Sequence, residues 1–380
     1  MADRVLRPPV VLTQPVFLYG TLCDPELFRI VCGVPFDAEA ATLAETRIRW
    51  VAAKNHCVPE HTDGATASGF VVTPDDEARA RLDFYELGFG YTAETRTLET
   101  ADGPVTAAIY VPTAQWLLGD MWSLEGWQTE HGALTRLAAR EFIELRHTHS
   151  AEAAARAFPQ VRMRAASRLR AGVEPSPEPM APFMANRAAR PERTAQPYTD
   201  YFAVREDWLA FPRFNGTDSA LVKRASFLGG DAVTVLPYDT ALDAVLMVRQ
   251  FRHGPFTRGD TNPWTLEPAA GRIDPGETPE QTARRELAEE TGVTATALHF
   301  VSRYYPSPGA YSEYLYSYVA IADLSGTDGG VGGLEDEAED IMRHVVPLEE
   351  ALAMIATGAA NTGPLVLSLA WLALNKAQLR

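Results

Sequence analysis

Thiols are scarce in this chain: its three cysteines, Cys23, Cys32 and Cys57, all fall early. Their spacing matches neither a disulfide framework nor a thiolate metal site, so they read as reduced thiols. Positive charge is also short. Against 50 Asp and Glu there are 34 Lys and Arg, a net charge of -16, which argues against nucleic acid as a partner. An acidic chain that handled an anionic phosphate ester would need cations between the two. Long apolar runs are missing; the stretch from Pro364 to Leu374 is too short to cross a bilayer, and no membrane partner is expected. The first residues lack the basic-then-apolar layout of a signal peptide, so the cytoplasm is the expected location. No internal repeat is present. What remains is ordinary for a globular protein, with 46% hydrophobic and 22% charged residues over 380 positions, enough for two domains.

The chain is organised around Gly271 to Val293. Thr278 followed three residues later by Gln281 is a capping-box pattern, and Pro279 suits the first helical position. Leu287 gives the helix an apolar contact, and Gly292 is placed to end it in a left-handed cap. Between those ends Glu286, Glu289 and Glu290 share one helix face. Such carboxylates repel unless a cation sits among them, and hard oxygen ligands suit Mg2+ or Mn2+. Arg285 lies just off that face, where it can pair with Glu277 and pin the preceding loop. A solvated acidic helix face is the alternative reading of such a run.

Gly271, Glu277, Arg285, Glu286, Leu287, Glu289, Glu290, Gly292 and Val293 together resemble the Nudix box at every defined position. The resemblance implies metal-assisted hydrolysis of a nucleoside diphosphate linked to another group. Three neighbouring stretches are similar to the ADP-ribose pyrophosphatase branch. Glu267-Pro268-Ala269-Ala270-Gly271 resembles its Glu-x-Pro-Ala-Gly lead-in with a slip of register. Pro308 stands sixteen residues beyond Gly292, inside a Ser307-Pro308-Gly309 loop followed by Glu313. Glu335 to Ile341 resembles the branch's late acidic loop, preceded by a glycine-rich hinge from Gly326 to Gly333. By this resemblance Glu286, Glu290, the carbonyl of Ala270 and Glu339 hold Mg2+ (or Mn2+). Glu337 is the first choice for general base and Glu289 the second. Arg252, in Gln250-Phe251-Arg252, contacts the diphosphate, while Glu267, Pro308, Gly309 and Glu313 shape the substrate site. The substrate implied is ADP-ribose, cleaved to AMP and ribose 5-phosphate, with another nucleotide sugar such as GDP-mannose as the rival. The branch commonly forms swapped homodimers, with Asp200 to Arg224 as the exchanged strand pair.

Upstream, Pro15 to Tyr19 reads as a buried strand, and Tyr19-Gly20-Thr21-Leu22 turns out of it. Gly69 to Val72 and Pro104 to Val111 read as further strands. With Leu82-Asp83-Phe84-Tyr85-Glu86, these residues resemble the γ-glutamylcyclotransferase and AIG2-like fold over roughly 14–115. The resemblance implies an anion-holding turn at Tyr19, Gly20, Thr21 and Leu22, and makes Glu86 the proton carrier in forming 5-oxoproline. A buried carboxyl has a raised pKa that suits this work. The turn from Glu86 to Tyr91 is one residue longer than in relatives, and a scaffold or binding role remains the alternative.

Residues 116–171 read as an arginine-rich helical extension, whose arginines are expected on solvated helix surface or paired with the acidic second domain, with an anion-binding face for a partner as the alternative. Residues 172–197 read as a proline-rich linker. Residues 198–380 complete the second domain. The expected fold is therefore α+β in two domains: an AIG2/γ-glutamylcyclotransferase-like mixed β-barrel with a helical extension, then a Nudix α/β/α sandwich. The combination resembles the bacterial tellurite-resistance proteins of the TrgB type.

Overall fold

A computed structural model describes residues 14–174, 189–333 and 339–379. The chain divides into two compact units, 1–165 and 166–380. The acidic loop containing Glu335, Asp336 and Glu337 lies outside the described residues.

The first unit is built on a closed barrel. Strand β1 (Val16–Leu18) runs into α1 (Pro25–Cys32), followed by the long hairpin β2 (Glu39–Val51) and β3 (Cys57–Val72). Helix α2 (Asp76–Leu87), strands β4 (Tyr91–Thr100) and β5 (Gly103–Pro112), and short β6 (Leu118–Met121) come next. β1 is antiparallel to β3 and parallel to β5, β5 pairs with β4, and β2 pairs with both β4 and β3, which closes the ring. Alternation along the strands sends Phe17, Leu43, Ile48, Leu98 and Ile109 into one buried cluster. Helices α1 and α2 cover this barrel with α3 (Leu124–Trp127), α4 (Ala133–Glu144) and α5 (Ala151–Val173), burying Leu27, Phe28, Leu82, Trp127 and Phe142.

The stretch expected to be helical throughout 116–171 therefore opens with a strand. β6 joins the edge of β2 through Val51↔Leu118 and Arg49↔Met121. Four of the stretch's arginines, Arg136, Arg140, Arg146 and Arg164, pair with carboxylates within the unit. Arg136 grips Asp24, the residue that also caps α1 by accepting the Leu27 N–H at 2.8 Å. Arg164 holds Glu141 at 2.6 and 2.8 Å in a buried pair.

The second unit opens with a three-stranded antiparallel sheet: β7 (Arg190–Thr199), β8 (Ala203–Ala210) and β9 (Val222–Leu228). β7 corrects the expectation of a linker through 197. It is an edge strand, where missing proline N–H groups are tolerated, and its register breaks between Pro191 and Arg193 and between Ala195 and Tyr198, around Pro197. The main sheet contains β10 (Ala232–Asp239), β11 (Ala244–Phe251), β12 (Trp264–Glu267), β13 (Ala269–Arg272), β14 (Ala297–Tyr304), β15 (Leu315–Ile321), β16 (Val331–Gly332) and β17 (Ile341–Pro347). Short α6 (His253–Arg258) connects β11 to β12.

β10 and β11 pair only beside their turn, at Tyr238↔Val245 and Asp239↔Ala244. Beyond that point β13 takes β10 (Thr234↔Ala270) and β12 takes β11 (Val248↔Glu267). One face of the sheet, through Val233, Val235, Leu246 and Val248, packs on Ala283 and Leu287 of α7 (Pro279–Thr291). The other, through Leu236, Tyr238, Val245 and Met247, packs on α8 (Leu348–Thr357) and α9 (Gly363–Asn375). That is an α/β/α sandwich. No helix among the described residues is long and apolar enough to cross a membrane.

Candidate active site

Local chemistry fixes α7. The Thr278 hydroxyl accepts the Gln281 N–H at 3.3 Å, and the Gln281 side chain accepts the Thr278 N–H at 2.9 Å, closing a capping box. At the other end Gly292 takes φ +69° and donates its N–H to Ala288. Between them, Leu287 is buried in the core and Glu286 and Glu290 turn toward β13.

Glu290 is buried, and its carboxylate accepts the Ala270 N–H at 3.0 Å. Burial pushes its carboxyl up to about 9, with Glu286 and Glu339 adding to the push against Ala270 and Arg252. Burial likewise pushes Glu286 up to about 7, opposed by Arg285 and assisted by Glu289 and Glu339. The Glu286 carboxylate lies so close over Gly271 that a Cβ there would sit 2.0 Å from it, so only glycine fits at this point.

Arg285 gathers the acids. It donates to Glu277 at 3.0 and 2.9 Å, to Glu286 at 2.7 Å and to Glu289 at 2.9 Å, and reaches the Arg272 carbonyl at 3.3 Å. The guanidinium is thereby held above its ordinary value, chiefly by Glu277. Glu277 in turn accepts the Thr282 hydroxyl at 2.8 Å, so the loop before the helix is tied to it at two points.

The splayed strands bring a second pair to the same place. Arg252, at the end of β11, makes a two-pronged bond to Glu267 of β12 at 2.9 and 2.6 Å. Its charge is felt by Glu290 and Glu313, and it feels Glu339. Thus Arg252, Glu267, Ala270, Arg285, Glu286, Glu289, Glu290 and Glu339 converge on one site. Pro308 and Gly309 sit in an exposed loop anchored to β9, where the Phe227 N–H donates to Ala310 and the Ser312 N–H to Phe227. Glu313, farther along that loop, is held above the usual carboxylate range by burial, against the charge of Arg272.

Two features differ from expectation. Arg272 has no role in the sequence reading, yet its guanidinium lies 4.1 Å from the Tyr201 ring centroid and its charge reaches Tyr311 and Glu313. Its only local signal is adjacency to Gly271. The glycine-rich stretch before the acidic loop is closely packed in its second half, while Gly326 and Gly329, both at φ +72°, face open space. A Cβ on Gly332 would meet the Glu290 carbonyl at 2.0 Å, and one on Gly330 would strike Arg343. There the glycines permit close approach of β16 to the end of α7.

The oxygen donors of Glu286, Glu290, Glu339 and the Ala270 backbone suit a hard divalent cation. The fit rests on the molecule itself: like-charged carboxyls are crowded so that burial and mutual repulsion disfavour their ionised forms, which a cation would relieve. Another acidic group among the described residues, Glu45, His61 and Asp63, is fully exposed and has no supporting feature.

In the first unit, Tyr19, Gly20, Thr21, Leu22 and Glu86 line one cavity of about 180 Å3. Gly20 is required by the Cys57 sulfur, which would lie 2.7 Å from an added Cβ. The Thr21 N–H is directed at that sulfur, and the Tyr19 hydroxyl donates to the Tyr110 carbonyl at 2.6 Å. Glu86 has no ion-pair partner among the described residues, and burial pushes its carboxyl up to about 7. The turn after Glu86 has a packing role: Phe89 joins the cavity wall and stacks on Phe142 of α4 with centroids 5.3 Å apart. The wall also includes Asn55, His56, Trp116, Thr135 and Phe158, which are scattered in sequence and carry no signal there.

With this geometry in view, comparisons with known proteins define the class. A NUDIX domain model matches residues 229–367, and a model described as gamma-glutamyl cyclotransferase, AIG2-like, matches 16–129. An ADP-ribose pyrophosphatase of Haemophilus influenzae is 35% identical over 185 residues, 48% of this chain and 85% of that protein. One from Escherichia coli (strain K12) is 38% identical over 183 residues, covering 48% and 87%. A GDP-mannose pyrophosphatase of Citrobacter koseri is 34% identical over 173 residues, covering 46% and 88%. The chain belongs to the Nudix hydrolases, in their ADP-ribose pyrophosphatase branch, and ahead of that domain it carries a stretch similar to the gamma-glutamyl cyclotransferase, AIG2-like family.

Proposed function

We propose that the Nudix domain hydrolyses the pyrophosphate of ADP-ribose to AMP and ribose 5-phosphate, using Mg2+, with Mn2+ able to substitute. The observation that carries this reading is the buried Glu286–Glu290 pair turned toward the Ala270 backbone, beside Arg252. Relatives named ADP-ribose pyrophosphatases at 35% and 38% identity support the substrate. Glu286, Glu290, Glu339 and the Ala270 carbonyl hold the metal, which when bound supplies charge neutralisation at the diphosphate and a more acidic water. Arg285 fixes Glu286 and Glu289 in place. Arg252, oriented by Glu267, faces the diphosphate, and Glu313 with the Pro308-Gly309 loop borders the remainder of the substrate. Glu337 is the first candidate for general base, because Glu289 is engaged by Arg285 at 2.9 Å. The exposed aromatics Tyr198 and Phe214 on or beside the three-stranded sheet suit burial in a homodimer. Product analysis with ADP-ribose and Mg2+, beside Glu290→Gln, tests the chemistry, and GDP-mannose assayed in parallel tests the substrate. A wild-type protein that turned over GDP-mannose but not ADP-ribose would transfer the assignment to the rival nucleotide sugar.

A second reading rests on Glu86. A carboxyl lifted to about 7 in an aromatic cavity suits proton transfer near neutrality, as γ-glutamyl cyclotransferase chemistry requires. Release of 5-oxoproline from γ-glutamyl amino acids by the wild type, lost in Glu86→Gln, is its expected signature.

A further inference from the structure

The cyclotransferase-like match ends at residue 129, yet the Glu86 cavity is completed by residues beyond it, Thr135 of α4 and Phe158 of α5. One turn after Phe158, on the same side of α5, stands Arg162. This arginine is half-buried, and no hydrogen bond or ion pair joins it to another described residue. Its neighbours behave otherwise: Arg136, Arg140, Arg146 and Arg164 each hold a carboxylate. Arg162 acts on His56 and Tyr85, both of which line the cavity. Burial lowers its affinity for its proton, so the guanidinium stands partly desolvated without compensation.

The lining itself contains no lysine or arginine, and burial holds His56 below its ordinary value and so neutral near pH 7. Glu86 is its one carboxylate. An anionic group on a ligand would therefore be repelled by an ionised Glu86. Of the cations whose charge reaches the lining, Lys54 is exposed and Arg79 is engaged by Asp83, which leaves the half-buried Arg162 on the α5 side as the uncompensated counter-charge. The aromatic rings of Tyr85, Phe89, Trp116 and Phe158 offer an apolar bed between. A cavity of about 180 Å3 has room for a small molecule and no more.

We propose that Arg162 is the anion anchor of the first domain's cavity, and that this cavity takes a small carboxylate with an apolar body. The carboxylate faces Arg162 and the body lies among the aromatic rings, with its far end toward Glu86. The inference concerns binding, so it stands apart from turnover by Glu86 and from the Nudix chemistry.

Ligand-observed NMR titration of the full chain tests it, using 3-phenylpropionate against 3-phenylpropanamide and hexanoate against hexanamide. The wild type is expected to bind each acid at least about tenfold more tightly than its amide, in line with loss of a charge-assisted pair. Arg162→Gln should erase that preference, and Arg162→Lys, which keeps the charge but not the fork, should retain part of it. A thermal melt of each variant separates loss of binding from loss of fold. If the glutamine variant does not fold, the acid-to-amide ratios in wild type and Arg162→Lys decide. Equal binding of acid and amide, a preference that survives Arg162→Gln, or absence of acid binding at millimolar concentration would each overturn the proposal.

Discussion

The two units each carry carboxyls with raised pKa values, for different reasons. Glu86 stands alone in an aromatic cavity, and burial by itself lifts it to about 7. Glu286 and Glu290 are lifted by burial too, but other acids crowd them and two arginines are anchored nearby. A solitary buried acid can hold or pass one proton. A crowd of acids, each resisting ionisation because of its neighbours, calls for a cation. The number and sign of neighbouring charges, more than the shift itself, separates a proton site from a metal site.

The largest effect that would break this comparison is on the Nudix side. Glu290→Gln removes a proposed metal ligand while keeping size and the acceptor for the Ala270 N–H, so kcat/KM for ADP-ribose should fall at least about 100-fold. Chelation of divalent cations should abolish the same activity and restoration of Mg2+ should recover it. Neither treatment should alter 5-oxoproline release or ligand binding at the Glu86 cavity. If chelation disabled both units alike, the division between a proton site and a metal site would be lost.

Next in size is loss of the clamp. Arg285→Lys cannot reproduce the bonds to Glu277, Glu286 and Glu289 together, because an ammonium lacks the planar fork. Activity should fall about 10- to 100-fold, with a weaker apparent Mg2+ affinity in a metal titration. An unchanged metal midpoint would show that Arg285 does not orient the ligands.

The Glu86 side makes its own pH prediction. Its folded pKa, about 7, lies above the ordinary carboxyl value of 4.5, so the native state binds more protons between those values. Native stability is then greatest, as far as this group contributes, below pH 4.5 and is lost as pH rises toward 7, on the order of 3 kcal/mol at most. Glu86→Gln should therefore be more stable than wild type at pH 8, with the advantage shrinking toward pH 4.5. Denaturant melts across that range measure it, and a pH-independent difference would show that Glu86 is not the buried acid described.

How much of this could be read from sequence follows from how local each interaction is. The α7 site is written within about twenty consecutive residues, where capping, helix spacing and the terminal glycine all act over one or two turns. The partition of β12 and β13 between splayed β10 and β11 is not, because strand register depends on partners far along the chain. Pro191 and Pro197 concealed β7, since an edge position rather than residue type decides whether proline is tolerated. The cavity around Glu86 draws on residues from Phe17 to Phe158, and only the Tyr19–Leu22 turn and the Glu86 segment were contiguous enough to notice. Arg272 stood next to a recognised glycine, but its aromatic neighbours are some seventy residues upstream.

The smallest predicted effect tests whether local order in α7 can be separated from its chemistry. Thr278→Ala removes the hydroxyl that accepts the Gln281 N–H at 3.3 Å and leaves every carboxylate intact. Loss of an N-cap of this kind costs about 1 kcal/mol, read as a lowered denaturation midpoint with an unchanged m-value. Because Arg285 and the core contact of Leu287 still fix the helix, the folded fraction should keep its kcat for ADP-ribose within about twofold, far less than the loss at Glu290. A fall in kcat comparable to that of Arg285→Lys would mean that the cap, and not the arginine clamp, sets the register of Glu286 and Glu290. The comparison between the two acid sites would then rest on the start of one helix rather than on the charges around it.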